Sequence, residues 1–290
     1  MNWKAKILLA LFLLLSFCGR KHHRVATTNP NPNPKIDAAE RAKQIADYKA
    51  SLTDTQIATV TVTSTQTSTS TQITGGSVTN QTVSIPALGT NLNALLRTNG
   101  QASQKLVIFF HEEGSNLHES DSIASKVLAE NFDTLSVDLR IGGSQFGFEN
   151  ETVVALQHQD TTFITLVSDV HSSITWAQKT YSTIVITGSS ESGSAVIKEG
   201  RTNPAVTKIA GFSPPNYIEG EAIYNYAAEV TKPFFVAAPQ SEKGNIDFLL
   251  NGTPANRVTR DTQQLGDHGF GLLNNNVVGQ EYLAFLLESL

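Results

Sequence analysis

The chain predicts a mainly parallel β-sheet with helices on both faces. Three observations lead there. From residue 82 onward, short β-branched and aromatic runs alternate with longer stretches of helical apolar spacing, and that alternation marks parallel strands joined by crossover helices. The run Ile184-Val-Ile-Thr187 ends in Gly188-Ser-Ser-Glu-Ser-Gly193, and a small-residue helix start follows. The chain of 290 residues, 40% hydrophobic and 16% charged, is long enough for one such domain with a well-buried core.

The elements follow in order. Strands are expected at 82–86, 92–97, 105–110, 133–138, 182–187, 206–212, 233–238 and 257–260. Helices are expected at 119–130, 161–179, 191–201, 219–230 and 279–289. The strand at 233–238 opens on Pro233, a position a strand start tolerates. The stretch between Ser190 and Pro233 is short, which leaves room for little or no lid.

The chemistry concentrates at Gly188-Ser189-Ser190-Glu191-Ser192. A serine at the tip of a tight strand-to-helix turn is the pattern of a nucleophile elbow, G-x-S-x-G. The residues two before and two after the tip must be small, and here they are Gly188 and Ser192. Ser192 departs from the second glycine, so restoring glycine there is expected to be tolerated. A second register, centred on Ser192 between Ser190 and Ser194, lacks the first glycine.

A serine hydroxyl needs a neutral imidazole to take its proton, and the imidazole needs a carboxylate behind it. Such triads run in the order Ser, acid, His. His268 is the only histidine after Ser190. Glu242 follows the 233–238 strand, and Asp247 is its rival. Asp267, beside His268, reads as a turn residue. The expected oxyanion donors are backbone N–H groups, of Glu191 and of Glu112 or Glu113. His111-Glu112 lacks the second histidine of H-E-x-x-H, since position 115 is Ser115, so no metal is expected. His111 is expected to end a strand and tie the following loop.

These residues resemble the α/β-hydrolase superfamily, in its dienelactone-hydrolase-like branch, over roughly residues 80–290. Beyond the elbow and His268-Gly269, the resemblance covers His111-Glu112-Glu113-Gly114-Ser115-Asn116, similar to H-E-x-x-G-x-N with one residue fewer. It also covers Asp138-Leu139-Arg140, similar to a D-x-R element, and the helix of Phe163 to Lys179 with Asp169 and Trp176. The branch uses a cysteine nucleophile and an aspartate acid, where this chain has Ser190 and Glu242. The resemblance implies an α/β-hydrolase fold, a triad, an oxyanion hole and no cofactor. The lactone substrate is not carried over. The function expected is ester hydrolysis of a small molecule through an acyl-enzyme by a Ser190–Glu242–His268 triad. Alternatives are a peptidase or amidase of the same fold, and a non-catalytic surface lipoprotein that uses the fold for binding.

The N-terminus reads as a targeting signal over residues 1–18. Lys4 and Lys6 precede the apolar run Ile7 to Phe17, which is too short to span a bilayer. Cys18, the sole cysteine, follows Leu15-Ser16-Phe17 as in a bacterial lipobox. A lipid-anchored cell-envelope protein is expected, with plain secretion or a periplasmic location as the alternative. Residues 19–35 form an Asn/Pro-rich linker, extended and semi-rigid. Residues 36–80 hold a helix capped by Asp37 and Glu40, then a Thr/Ser-rich segment, and the hydrolase domain takes 81–290. The net charge of −5 makes no electrostatic case for nucleic acid.

Overall fold

The computed structural model describes residues 71–73, 76–157, 161–255, 258–261 and 267–288. The expected signal, linker, capped helix and most of the Thr/Ser-rich segment lie outside the described residues. Among the described residues, nine strands form one sheet in the order β1-β2-β3-β5-β4-β6-β7-β10-β11. These are β1 (Thr71–Ile73), β2 (Gly76–Ala87), β3 (Thr90–Thr98), β4 (Lys105–Phe110), β5 (Asp133–Val137), β6 (Thr183–Ser189), β7 (Val206–Phe212), β10 (Phe234–Ala237) and β11 (Val258–Asp261). β1, β2, β3 and β5 pair antiparallel, and every pairing from β5 to β11 is parallel. All eight expected strands are present.

The helices are α1 (Asp121–Ala129), α2 (Glu151–Leu156), α3 (Phe163–Ala177), α4 (Glu191–Gly200), α5 (Ile223–Ala228), α6 (Lys243–Leu249) and α7 (Asn276–Leu287). Side chains alternate across a strand, so β4 feeds two cores. Ile108 and Phe110 meet α3 and α4 on one face, where Leu166, Val170, Val196 and Ile197 are buried. Val107 and Phe109 meet α1 and α7 on the other, with Ile123, Val127, Tyr282 and Phe285. The near-continuous apolar run of β4 is the consequence of being covered twice.

The structure departs from the expected helices in two places. Two short helices, α2 and α6, add to the expected set. The helix expected at 219–230 is shorter and is preceded by a hairpin, β8 (Tyr217–Ile218) with β9 (Glu221–Ala222). Glu219 and Gly220 turn it with φ of 47° and 86°, the positive pair that a two-residue hairpin turn needs. This hairpin and α5 are the whole excursion between β7 and β10, so no lid domain stands there.

Register then positions the site. Phe110 of β4 pairs with Gly188 of β6, Ser189 with Phe212 of β7, and Phe212 with Ala237 of β10. The strands therefore end level, and the loops after them open on one edge, where ligands of open α/β sheets bind.

Candidate active site

Ser190 sits between β6 and α4 with φ 53° and ψ −119°. Non-glycine residues avoid this region, at a cost of about 1–3 kcal/mol. The surroundings hold it there. Its N–H donates to Phe212 O at 2.8 Å. A Cβ at Gly188 would lie 2.3 Å from Ser192 O and 2.4 Å from its carbonyl carbon. Only glycine lets the strand pass so close to the first helical turn.

Ser192 is not a passive stand-in for glycine. Its hydroxyl is fully buried, lies 2.6 Å from Phe110 O and 2.8 Å from Ser189 O, and accepts the Ser189 N–H at 3.0 Å. It ties the elbow to the end of β4. Its oxygen is thus engaged within the turn, while Ser190 occupies the tip.

His268 precedes the 3₁₀ turn Gly269–Asn274, and its Nδ1 lies 2.7 Å from Glu242 Oε1. Glu242 ends the short turn Gln240–Glu242 after β10. Asp247 does not join them. It lies on α6 in an exposed pair with Lys243. Asp267 is exposed. The His268 loop docks on the ends of β6 and β7: Phe270 N–H donates to Ser189 Oγ at 3.1 Å, and Gly269 N–H to Ser213 Oγ at 3.1 Å. His268 and the turn at Ser190 are thereby held on neighbouring backbone.

Burial disfavours the imidazolium of His268. The hydrogen bond and charge of Glu242, with the charges of Glu112 and Glu191, outweigh burial and raise its pKa above the ordinary imidazole value. Glu112 Oε2 is 3.9 Å from His268 Nε2.

The loop after β4 is clamped by His111. Its Nε2 accepts the Leu139 N–H at 2.8 Å, so Nδ1 carries the proton and donates to Glu112 O at 2.7 Å. Burial lowers its pKa and keeps it neutral. This bond fixes the plane of the Glu112–Glu113 peptide. In a trans peptide the N–H points opposite to the C=O, so the Glu113 N–H is turned away from the His111 ring. The Glu112 N–H is committed elsewhere: it donates to Glu119 Oε2 at 2.8 Å. Of the two oxyanion candidates in this loop, only Glu113 keeps its amide from a protein acceptor among the described residues. The glycine-rich loop after Arg140 supports the same segment, with Gly143 N–H on Ser115 O at 2.7 Å.

Asp138 accepts the Leu117 and Glu151 N–H groups and the Asn93 amide. Arg140 forms a two-pronged pair with buried Asp169 of α3. The D-x-R element therefore braces the end of β5 against β3, the 3₁₀ turn at Leu117, α2 and α3. No sequence pattern marks a role for Glu119, Ser189 or Ser213. Their roles come from contacts across the sheet edge, for which spacing along the chain carries no signal. Both His111 ring nitrogens are taken up by hydrogen bonds, and the described residues contain no group of three His, Cys, Asp or Glu arranged for a metal.

Neither a family model nor a curated protein matches the chain by sequence. Solved structures match it in shape. The esterase Pf2001 of Pyrococcus furiosus is 16% identical with a TM-score of 0.58, over 71% of this chain and 91% of the other. A dienelactone hydrolase from Anabaena variabilis is 15% identical with a TM-score of 0.54, over 71% and 94%. Est1E from Butyrivibrio proteoclasticus is 13% identical with a TM-score of 0.54, over 71% and 99%. The chain has the α/β-hydrolase fold. Within this α/β-hydrolase fold, Ser190 follows β6, Glu242 follows β10 and His268 follows β11.

Proposed function

We propose that the protein is a serine hydrolase that cleaves carboxylic esters through an acyl-enzyme. One observation carries the reading: a serine in a strained elbow conformation stands beside a docked loop whose histidine is paired with a carboxylate at 2.7 Å. Such strain persists only where the surrounding structure holds it, and it clusters at functional sites.

In this reading Ser190 Oγ attacks the ester carbonyl, and its proton passes to His268 Nε2. Glu242 holds the Nδ1 proton and stabilises the imidazolium. The carbonyl oxygen becomes an oxyanion, which the Glu191 and Glu113 N–H groups receive. Glu191 opens α4, so the positive end of that helix adds to the field. The imidazolium returns its proton to the departing alkoxide, leaving an acyl-Ser190. Water, deprotonated by His268, then releases the acid and restores the serine. None of these steps calls on a cofactor. The carboxylates of Glu112 and Glu191, which act on His268, favour neutral or cationic esters over anionic ones. The esterase names of the structural neighbours support ester over amide.

The N-terminal signal and Cys18 support an exported, lipid-anchored location in a bacterial envelope, with the linker 19–35 as a tether. A fluorophosphonate probe is expected to label Ser190, and a panel of short and long acyl nitrophenyl esters to be hydrolysed. Wild-type protein that takes no label and turns over no ester would sink the reading.

A further inference from the structure

Glu119 stands in the 3₁₀ turn Leu117–Ser120, just after the clamped loop. Its carboxylate touches three pieces of the site. Oε2 accepts the Glu112 N–H at 2.8 Å. Oε1 accepts the Ser189 hydroxyl at 2.6 Å. Oε1 also lies 3.4 Å from the Phe270 N–H, which it shares with Ser189 Oγ. These pieces neighbour the Glu113 amide, Ser190 and His268 respectively.

We propose that Glu119 is a positioning residue that sets the spacing of oxyanion donor, nucleophile and base. The inference rests on the hydrolase reading above. The direction of the hydrogen bonds explains why a carboxylate is needed. Phe270 N–H can only donate, so Ser189 Oγ accepts from it and gives its own proton to Glu119. Glu112 N–H can only donate as well. Both faces of Glu119 must accept, and an ionised carboxylate is the side chain that only accepts. A glutamine with its oxygen on Ser189 would turn its NH₂ toward the Glu112 N–H. Gly269 lets the third piece approach: its φ is +60°, and a Cβ there would lie 2.2 Å from Ser189 Oγ. By holding the Glu112 N–H, Glu119 also leaves the oxyanion to the next amide, that of Glu113.

The test uses Glu119→Gln, Ser189→Ala and the double variant of the full chain. The measurements are kcat and KM on a nitrophenyl ester, and the Ki of an aryl boronate that forms a tetrahedral adduct. Glu119→Gln is expected to lower kcat roughly 100-fold, the loss typical of small misplacement, with KM little changed. The boronate Ki should rise by the same factor. Ser189→Ala should show a smaller loss of the same kind. The double variant should lose no more than Glu119→Gln alone, because both act through one node. Wild-type kcat and boronate affinity in Glu119→Gln, with or without a lower melting temperature, would overturn the role while leaving the hydrolase reading intact. If Glu119→Gln does not fold, unaltered kinetics in Ser189→Ala overturn it instead. A wild-type protein inactive on every ester and unlabelled by the probe overturns both readings together.

Discussion

His268 Nδ1 and Glu242 Oε1 lie 2.7 Å apart, whereas Asp247, on the helix that follows, is paired with Lys243. The chain runs from β10 through one tight turn, which delivers Glu242 to the histidine loop. By the start of α6 it has turned away. Glu242→Gln is therefore expected to keep the fold and slow turnover by a factor on the order of 10⁴, as loss of the acid does in such triads. Asp247→Asn should leave turnover near that of the wild type. Steady-state kinetics of the two variants decide the matter, and the opposite ranking would move the acid role to Asp247.

The same pair sets the pH dependence. Burial pulls the His268 pKa down, and the hydrogen bond and charge of Glu242, with Glu112 and Glu191, pull it up further. The net direction is upward from about 6.5. A general base works only when neutral, so kcat/KM should rise with pH through a midpoint above that value. In Glu242→Gln the raising contributions are cut and burial remains, so the limb should move to lower pH. A wild-type midpoint below the ordinary imidazole value counts against the pairing.

Strain at Ser190 predicts a trade between stability and activity. Glycine accepts φ 53° and ψ −119° without a Cβ clash. Ser190→Gly should raise unfolding stability by about 1 kcal/mol, at the low end of the strain range, and abolish both probe labelling and turnover. Ser190→Ala should abolish activity with the fold retained. Urea denaturation read by circular dichroism supplies the stability difference, and a destabilised Ser190→Gly would contradict the strain.

Ser192 has a different fate. The motif places a small residue there in lieu of glycine, but the Ser192 hydroxyl serves Phe110 O and Ser189 N–H. Ser192→Ala leaves those buried groups short of a partner and should cost about 1–3 kcal/mol. Ser192→Gly should cost more, because glycine also loses backbone freedom in the helix. Gly188→Ala should be worse than Ser192→Ala, since its Cβ would meet the backbone of Ser192. Chemical denaturation of the three variants gives the order. Equal stability of Ser192→Gly and wild type would show that the hydroxyl contributes nothing.

The proposed lipid anchor is tested at Cys18, the sole cysteine, which borders the apolar run Ile7 to Phe17. Cys18→Ala should abolish incorporation of labelled fatty acid and release the protein from membranes. A wild-type protein carrying no lipid, with a mature N-terminus other than Cys18, would refute the anchor.

Local patterns in the sequence carried the sheet and the tight turn at Ser190, and left His268 as the one downstream histidine to propose as base. Strand periodicity is local, so 105–110 and 206–212 could be read with their observed bounds. The demand for small residues around Ser190 is also local, a matter of atoms two residues apart in one turn. His268 followed from there being no other histidine downstream. Only the fold shows that Glu242, and not Asp247, lies beside His268, because both carboxylates suit the chemistry and the turn after β10 sets which one reaches the ring. It alone showed that the Glu112 amide is taken, that Ser192 bonds across to β4, and that Glu119 joins loops near residues 112, 189 and 270. Such contacts depend on which strands lie side by side and end level. That is set by packing of the whole sheet, and no short window of the chain contains it.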